Sequence, residues 1–145
     1  MKKVVLVLSS KVVLLGGVSV PIALGSASSA ARPVGPTVKV TVKTLTQTLL
    51  GPTAARGRTG WITKGGTPRG KCSAASAAGA LNAATHGRWT GKYYSGIGIF
   101  IESILGVKPS GKAYWSIYVN GRSSSLGICS LKLRAGEQLL FKIHK

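Results

Sequence analysis

The sequence contains almost no acidic residues. Its 145 residues include 20 Lys and Arg but only two acidic residues, Glu102 and Glu137, and no aspartate. The absence of Asp excludes a Ser-His-Asp triad, and a paired-carboxylate mechanism would need both glutamates in one site. Placing Glu102 in a strand and Glu137 in a turn leaves their meeting open, but we interpret both as ordinary surface or turn residues, and we therefore expect no catalytic residues and predict that the chain is not an enzyme.

Cysteine and histidine are equally scarce, with two residues each. Neither His86 nor His144 lies at a ligand spacing from Cys72 or Cys129, so we expect no metal site. In an exported protein, two cysteines most simply form one disulfide. Two free thiols and half of a metal site are the alternatives.

The first 30 residues have the three parts of a signal peptide. Lysines at positions 2 and 3 precede an apolar stretch over 12–24, and small residues fill 25–30. This pattern predicts a signal peptide over 1–30, cleaved after Ala30 or one residue later, and a secreted or cell-surface protein. The alternative is an uncleaved anchor, which needs about 20 apolar residues; Lys11 interrupts that run. We expect membrane contact only before cleavage.

Basic residues dominate the charge of the mature chain. The formal net charge is +18, and cleavage after Ala30 would leave 17 basic residues against two acidic ones. The basic residues recur every few positions, which favours loose attraction of anions over a shaped nucleic-acid groove. We therefore expect an anionic cell-envelope polymer or a small molecule as partner, and no specific nucleic acid.

Hydrophobic periodicity predicts several strands in the mature chain. After a flexible leader over 31–36, strict alternation over 37–43 indicates a half-buried strand. Residues 45–50 either continue that strand or return beside it, and the glycine-rich stretch 53–71 is a loop, either functional or a mobile insertion. We interpret 114–119 as the central strand because it is rich in β-branched and aromatic residues, and Asn120–Gly121 as a tight turn.

One helix is predicted, with further strands after it. Alanines recur at helical spacing over 72–85, with Ser73 as the N-cap and Gly87 as the C-terminal stop. Residues 88–94 are interpreted as a loop, 97–105 as a strand and 138–143 as the closing strand. The resulting fold class is α+β: a small β-grasp-like sheet of four to five strands packed on one Ala-rich helix.

Aromatic residues interleaved with basic ones provide a candidate ligand surface. They could stack a sugar, a base or a corrin, and the alternative is that they fill the core. The members of this aromatic–basic set are Arg88, Trp89, Lys92, Tyr93, Tyr94, Tyr114 and Tyr118.

Several short motifs, in order, resemble a secreted bacterial family related to the C-terminal domain of transcobalamin. The resemblance covers roughly residues 37–143. It is carried by residues 72–81, 84–89, 102–106, 114–115 with 119–121, 127–129 and 135–137. One departure is Gly136-Glu137, where the family usually has Gly-Asp.

This resemblance implies a β-grasp-like domain over 37–145 and, as in a subgroup of the family, pairing of Cys72 with Cys129. The helical barrel that completes the transcobalamin corrinoid site has no counterpart in these 145 residues. We therefore expect a secreted, non-catalytic binding or cell-surface interaction module that needs no cofactor. The alternative is a domain that contacts a corrinoid such as cobalamin together with a partner protein.

Overall fold

The computed structural model describes residues 33–145, so the predicted signal peptide lies outside the described residues. No helix within 33–145 is long and apolar enough to cross a membrane. The strands are β1 (Pro33–Lys43), β2 (Thr48–Arg58), β3 (Trp89–Tyr94), β4 (Gly98–Ile104), β5 (Tyr114–Val119), β6 (Arg122–Ser123) and β7 (Gln138–His144). The helices are a short 3-10 turn, η1 (Lys64–Gly66), and α1 (Ala77–Ala84).

Five strands form a mixed sheet in the order β2-β1-β7-β5-β6. Strands β1 and β7 pair in parallel, and the other neighbours are antiparallel. The middle strand is therefore β7, and the prediction that β5 is central is wrong. Strand β5 lies second from the edge because only the two residues of β6 pair beyond it.

The hydrophobic core covers one face of this sheet. Alternate residues of the three inner strands point into it and are buried: Val38, Val40, Val42, Trp115, Ile117, Leu139, Phe141 and Ile143. The alternation predicted for β1, β5 and β7 is thus confirmed. Helix α1 packs on the same face, against β1 and β2.

The Ala-rich helix is shorter than predicted. It begins at Ala77, with Ser76 at the N-cap position, so the prediction of Ser73 as N-cap is wrong. Ser73 instead forms an isolated bridge with Trp61, which keeps the chain extended there. The predicted stop is confirmed, because Gly87 takes a positive φ of 76° and its N–H bonds to the carbonyl of Asn82.

Three stretches that we expected to be irregular are strands. Strand β1 already begins at Pro33 and pairs there with Arg58, so most of the expected leader is part of the sheet. Strand β2 is the return strand and continues to Arg58, into the expected loop. Residues 89–94, also expected in a loop, form β3, which pairs with β4 in a separate two-stranded sheet. The domain is therefore α+β with more strands than predicted.

A disulfide joins Cys72 to Cys129, and their Cα atoms lie 4.8 Å apart. This confirms the predicted pairing. Cys72 precedes α1 and Cys129 lies between β6 and β7, so the bond links the helix entry to the last loop. The Asn120–Gly121 turn is also confirmed, because both residues have positive φ angles, of 49° and 81°.

Candidate ligand-binding cleft

A cleft of about 570 Å³ lies between β4 and the β5–β6 hairpin. Strands β4 and β5 provide two of its walls, and the loop after β6 provides the third. Its lining comes from Gly96, Ile97, Ile99, Phe100, Ile101, Tyr114, Trp115, Ser116, Ile117, Ser123, Ser124, Ser125, Leu126, Gly127, Ile128 and Ser130.

The cleft exists because the two sheets are not joined at this edge. Strand β6 pairs with β5 only at Tyr118 and Val119, so the rest of β5 has no strand beyond it. Consecutive residues of β4 (99–101) and of β5 (114–117) line the space. Since neighbouring side chains of a strand point to opposite faces, consecutive lining residues indicate that the cleft runs along strand edges.

Large apolar side chains are exposed in the cleft. They are Ile97, Phe100, Tyr114 and Leu126, which are 69%, 48%, 42% and 52% exposed. These four make up half of the large hydrophobic residues that are exposed within residues 33–145. Single exposed apolar residues are ordinary, but a cluster in a concave site is typical of a binding surface.

A buried hydrogen-bond donor without a partner belongs to the same lining. Trp115 is 6% exposed, and its Nε1 is buried without a hydrogen-bond partner. An unsatisfied buried donor costs about 1–3 kcal/mol, and most buried tryptophans find an acceptor. The lining of the cleft therefore combines apolar side chains with one buried hydrogen-bond donor, Trp115 Nε1, that has no partner.

The loop that forms the third wall is held by the disulfide. Cys129 lies between the lining residues Ile128 and Ser130. On the β4 side, a Cβ placed on Gly98 would lie 3.5 Å from the Cβ of Cys129. A Cβ on Gly127 would lie only 3.0 Å from the carbonyl oxygen of Ile97, so this loop and the start of β4 are in close contact.

Trp89 belongs to the core and not to a surface. It is 2% exposed, and its Nε1 donates to Oδ1 of Asn82 over 3.1 Å. The ammonium of Lys64 lies 5.2 Å from the centre of its ring and donates to the carbonyl oxygens of Trp89 and Gly87. The hypothesis that Trp89 stacks on a ligand is therefore wrong, because its indole is already covered.

The other members of the aromatic–basic set lie on separate surfaces. Lys92 lies 5.5 Å from the ring centre of Tyr94 on β3, where Tyr93 is half-buried, and Arg88 donates from Nε to the carbonyl oxygen of Thr85. Tyr114 packs edge-on against His144, with ring centres 5.6 Å apart, and Tyr118 is half-buried on the same strand. Of the set, only Tyr114 lines the cleft.

Sequence reasoning missed Ile97, Phe100, Leu126 and the serines 123–125 as site residues. A signal was present at Phe100, a large apolar residue at the outward position between the buried Ile99 and Ile101. Within residues 33–145, no group of three or more His, Cys, Asp or Glu side chains could hold a metal ion. The prediction that the chain is not an enzyme stays a prediction.

The sequence matches a family model described as a domain of unknown function (DUF4430) over residues 74–145. This range includes helix α1 and the whole cleft. No curated protein matches the sequence.

Two solved structures share the fold. One is the crystal structure of haptocorrin in complex with Cbi, with a TM-score of 0.58 and 19% identity over 79% of this chain. This chain covers 26% of that haptocorrin chain. The other is described as a "putative metal binding protein" from Ruminococcus gnavus ATCC 29149, with a TM-score of 0.53 and 12% identity. The alignment covers 76% of this chain and 97% of that protein chain. At 19% and 12% identity, these two structures show that this chain shares their fold.

Proposed function

We propose that this chain is a secreted, non-catalytic binding module that takes a small-molecule ligand into the cleft between β4 and β5. The observation that carries the proposal is the cluster of exposed apolar side chains in a concave site. A disulfide supports an extracellular location, because such bonds persist in oxidising compartments. The parallel pairing of the first and last strands supports the β-grasp-like description of the domain.

The lining of the cleft indicates the chemistry of the ligand. Small-molecule sites usually enclose about 300–1,000 Å³ and combine apolar walls with a few polar groups, and the cleft of about 570 Å³ falls in that range. Phe100 and Tyr114 offer aromatic surface, and Ser123 and Ser125 offer hydroxyl groups, whereas the hydroxyl of Ser124 is bonded to the backbone of Leu126. A ligand with a flat apolar part and a hydrogen-bond acceptor for Trp115 Nε1 would use all of them.

A thermal-shift screen of small molecules tests this proposal. A ligand at about 100 times its Kd would raise the free energy of unfolding by about 2.7 kcal/mol. The variant Ile97→Ser/Phe100→Ser should lose this stabilisation. The matched control, Leu45→Ser/Tyr94→Ser, changes two residues of similar exposure outside the cleft and should keep it.

Two results would count against the cleft as the ligand site. Equal stabilisation of both variants would place the ligand elsewhere. Loss in the control alone would favour the aromatic–basic set, since Tyr94 belongs to it.

A corrinoid ligand, bound together with a partner protein, is the second candidate function. It is favoured by the fold shared with haptocorrin, whose structure is a complex with Cbi. This chain covers about a quarter of haptocorrin, so in this proposal the domain provides one part of the corrinoid site and a partner protein provides the rest. Titration of a corrinoid into the purified chain should then change the visible absorption spectrum of the corrinoid, and the Ile97→Ser/Phe100→Ser variant should not. An unchanged spectrum at high micromolar corrinoid would reject contact by the isolated domain.

A further inference from the structure

The face of the five-stranded sheet that points away from α1 is uncovered and strongly basic. Register places its outward residues in rows across β1, β7 and β5. Lys43, Lys142 and Ser116 form one row, and Thr41, Leu140 and Tyr118 form the next. Lys39 lies beyond the second row, and Tyr114 with His144 lies beyond the first. We call this surface the outer basic face.

Two lysines of this face are direct neighbours. Lys43 and Lys142 are partners on adjacent parallel strands, and both are exposed. Neighbouring strands lie about 4.8 Å apart, and like charges placed opposite each other destabilise a sheet. Neither glutamate is on the face, because Glu102 is in β4 and Glu137 precedes β7, where its Oε2 accepts from the backbone N–H of Arg134. The arrangement costs stability when the protein is alone, and an external anion would offset the repulsion.

Two tyrosines of β5 lie on either side of the row that contains the paired lysines. Tyr114 and Tyr118 both point to the outer basic face, with Ser116 between them. Their rings offer flat apolar surface with a hydroxyl at the edge, which suits the mixed polar and apolar faces of a sugar ring. The three lysines are point charges, whereas Arg56, an arginine on the same face of the sheet, lies on β2 opposite Thr37 and donates from Nε to the carbonyl oxygen of Gly35.

From this juxtaposition we infer that the outer basic face binds an acidic polysaccharide. Carboxylates of the polymer pair with Lys39, Lys43 and Lys142, and its sugar rings pack on Tyr118 and Tyr114. This surface is a second one, beyond the small-molecule cleft, although Tyr114 borders both. Binding through exposed charges is weakened by salt, since the Debye length falls to about 10 Å at 0.1 M.

Binding to immobilised polygalacturonate, with neutral dextran as the reference polymer, tests the inference. The charge-reversal variant Lys43→Glu/Lys142→Glu keeps a like-charged pair, so its fold should persist, and its affinity should fall about tenfold or more at low salt. The matched control Lys71→Glu/Lys132→Glu has the same net charge and changes exposed loop lysines. It should lose less than about twofold. Ile97→Ser/Phe100→Ser should bind as wild type, which separates this surface from the cleft.

Three further variants test the tyrosines and the repulsion. Tyr118→Ala should weaken binding, whereas Tyr94→Ala should not. Lys142→Gln should raise the urea midpoint and lower the affinity for the polymer, because it removes the repulsion together with one binding charge. If both charge-reversal variants lost the same affinity for the polymer, net charge alone would explain the binding, and the inference would be overturned. Tighter binding of a polynucleotide than of polygalacturonate, or no binding at low salt, would overturn it as well.

Discussion

Removal of the disulfide is the perturbation whose magnitude follows most directly from the structure. The bond closes a loop between residues 57 positions apart, Cys72 and Cys129. In the chain-entropy model, a loop of that length contributes about 4 kcal/mol. Small domains are stable by only about 5–15 kcal/mol, so this bond is a large part of the total. The double variant Cys72→Ala/Cys129→Ala should therefore unfold at a temperature lower by about 15 °C.

Urea unfolding provides the assay and its control. The double variant should show a lower midpoint and a larger m-value, because an uncrosslinked unfolded chain exposes more surface. Wild-type protein unfolded in reductant should approach the midpoint of the double variant. A loss below about 1 kcal/mol would refute the argument that the bond acts mainly by restricting the unfolded chain.

Two further substitutions test local packing, and urea midpoints measure both. Gly79→Ala would gain about 1 kcal/mol of helix propensity, yet its Cβ would clash with the carbonyl oxygen of Ala74. We expect a net loss of about 1–3 kcal/mol, and a gain would contradict the close approach. Lys64→Met removes the hydrogen bonds to the carbonyls of Gly87 and Trp89, 2.8 and 2.9 Å long. It should cost about 1–3 kcal/mol, and an unchanged midpoint would show that these bonds contribute nothing.

Strands are predicted well from the sequence where one face is buried and the other is exposed to solvent. Strand β1 alternates strictly over 37–43 and β7 does so apart from Leu140, and their inward Val40, Val42, Leu139 and Phe141 are in the core. The Asn120 turn follows from local backbone chemistry, since both residues of a tight hairpin turn need positive φ. These features are determined by residues close together in the sequence, so they can be predicted from the sequence alone.

Strand β3 and the part of β2 beyond Pro52 were expected to be loops, because their glycines resemble turn residues and it is tertiary contacts that require glycine there. Gly57 lies near the end of β2, and a Cβ there would clash with the backbone of Ala74. Gly91 lies in β3, where a Cβ would lie 2.7 Å from the carbonyl oxygen of Phe100. Glycine normally indicates a turn or a bulge, and in both strands it marks the close approach of another backbone. Pro52 is tolerated because β2 is an edge strand.

The candidate site was harder to predict than the fold, because its residues come from three separate elements, namely β4, β5 and the loop after β6. Tyr114 is the one member of the aromatic–basic set that lines the cleft, and it lies on a different strand from Ile99 and Phe100. Aromatic and basic composition indicated Trp89, which the core required for packing. Composition identifies residues able to bind a ligand, and only the sheet order determines which of them meet.

The disulfide supports the cleft directly but not the outer basic face, so its removal can distinguish binding at the two surfaces. Cys129 lies within the cleft-lining loop and close to Gly98, so the bond supports one wall of the cleft directly. The outer basic face rests on the continuous ladders of β1, β7 and β5, and neither cysteine belongs to these strands. Under conditions where the Cys72→Ala/Cys129→Ala variant is still folded, ligand binding in the cleft should therefore weaken more than polymer binding. We therefore expect reductant to weaken ligand binding in the cleft more than polymer binding to the outer basic face.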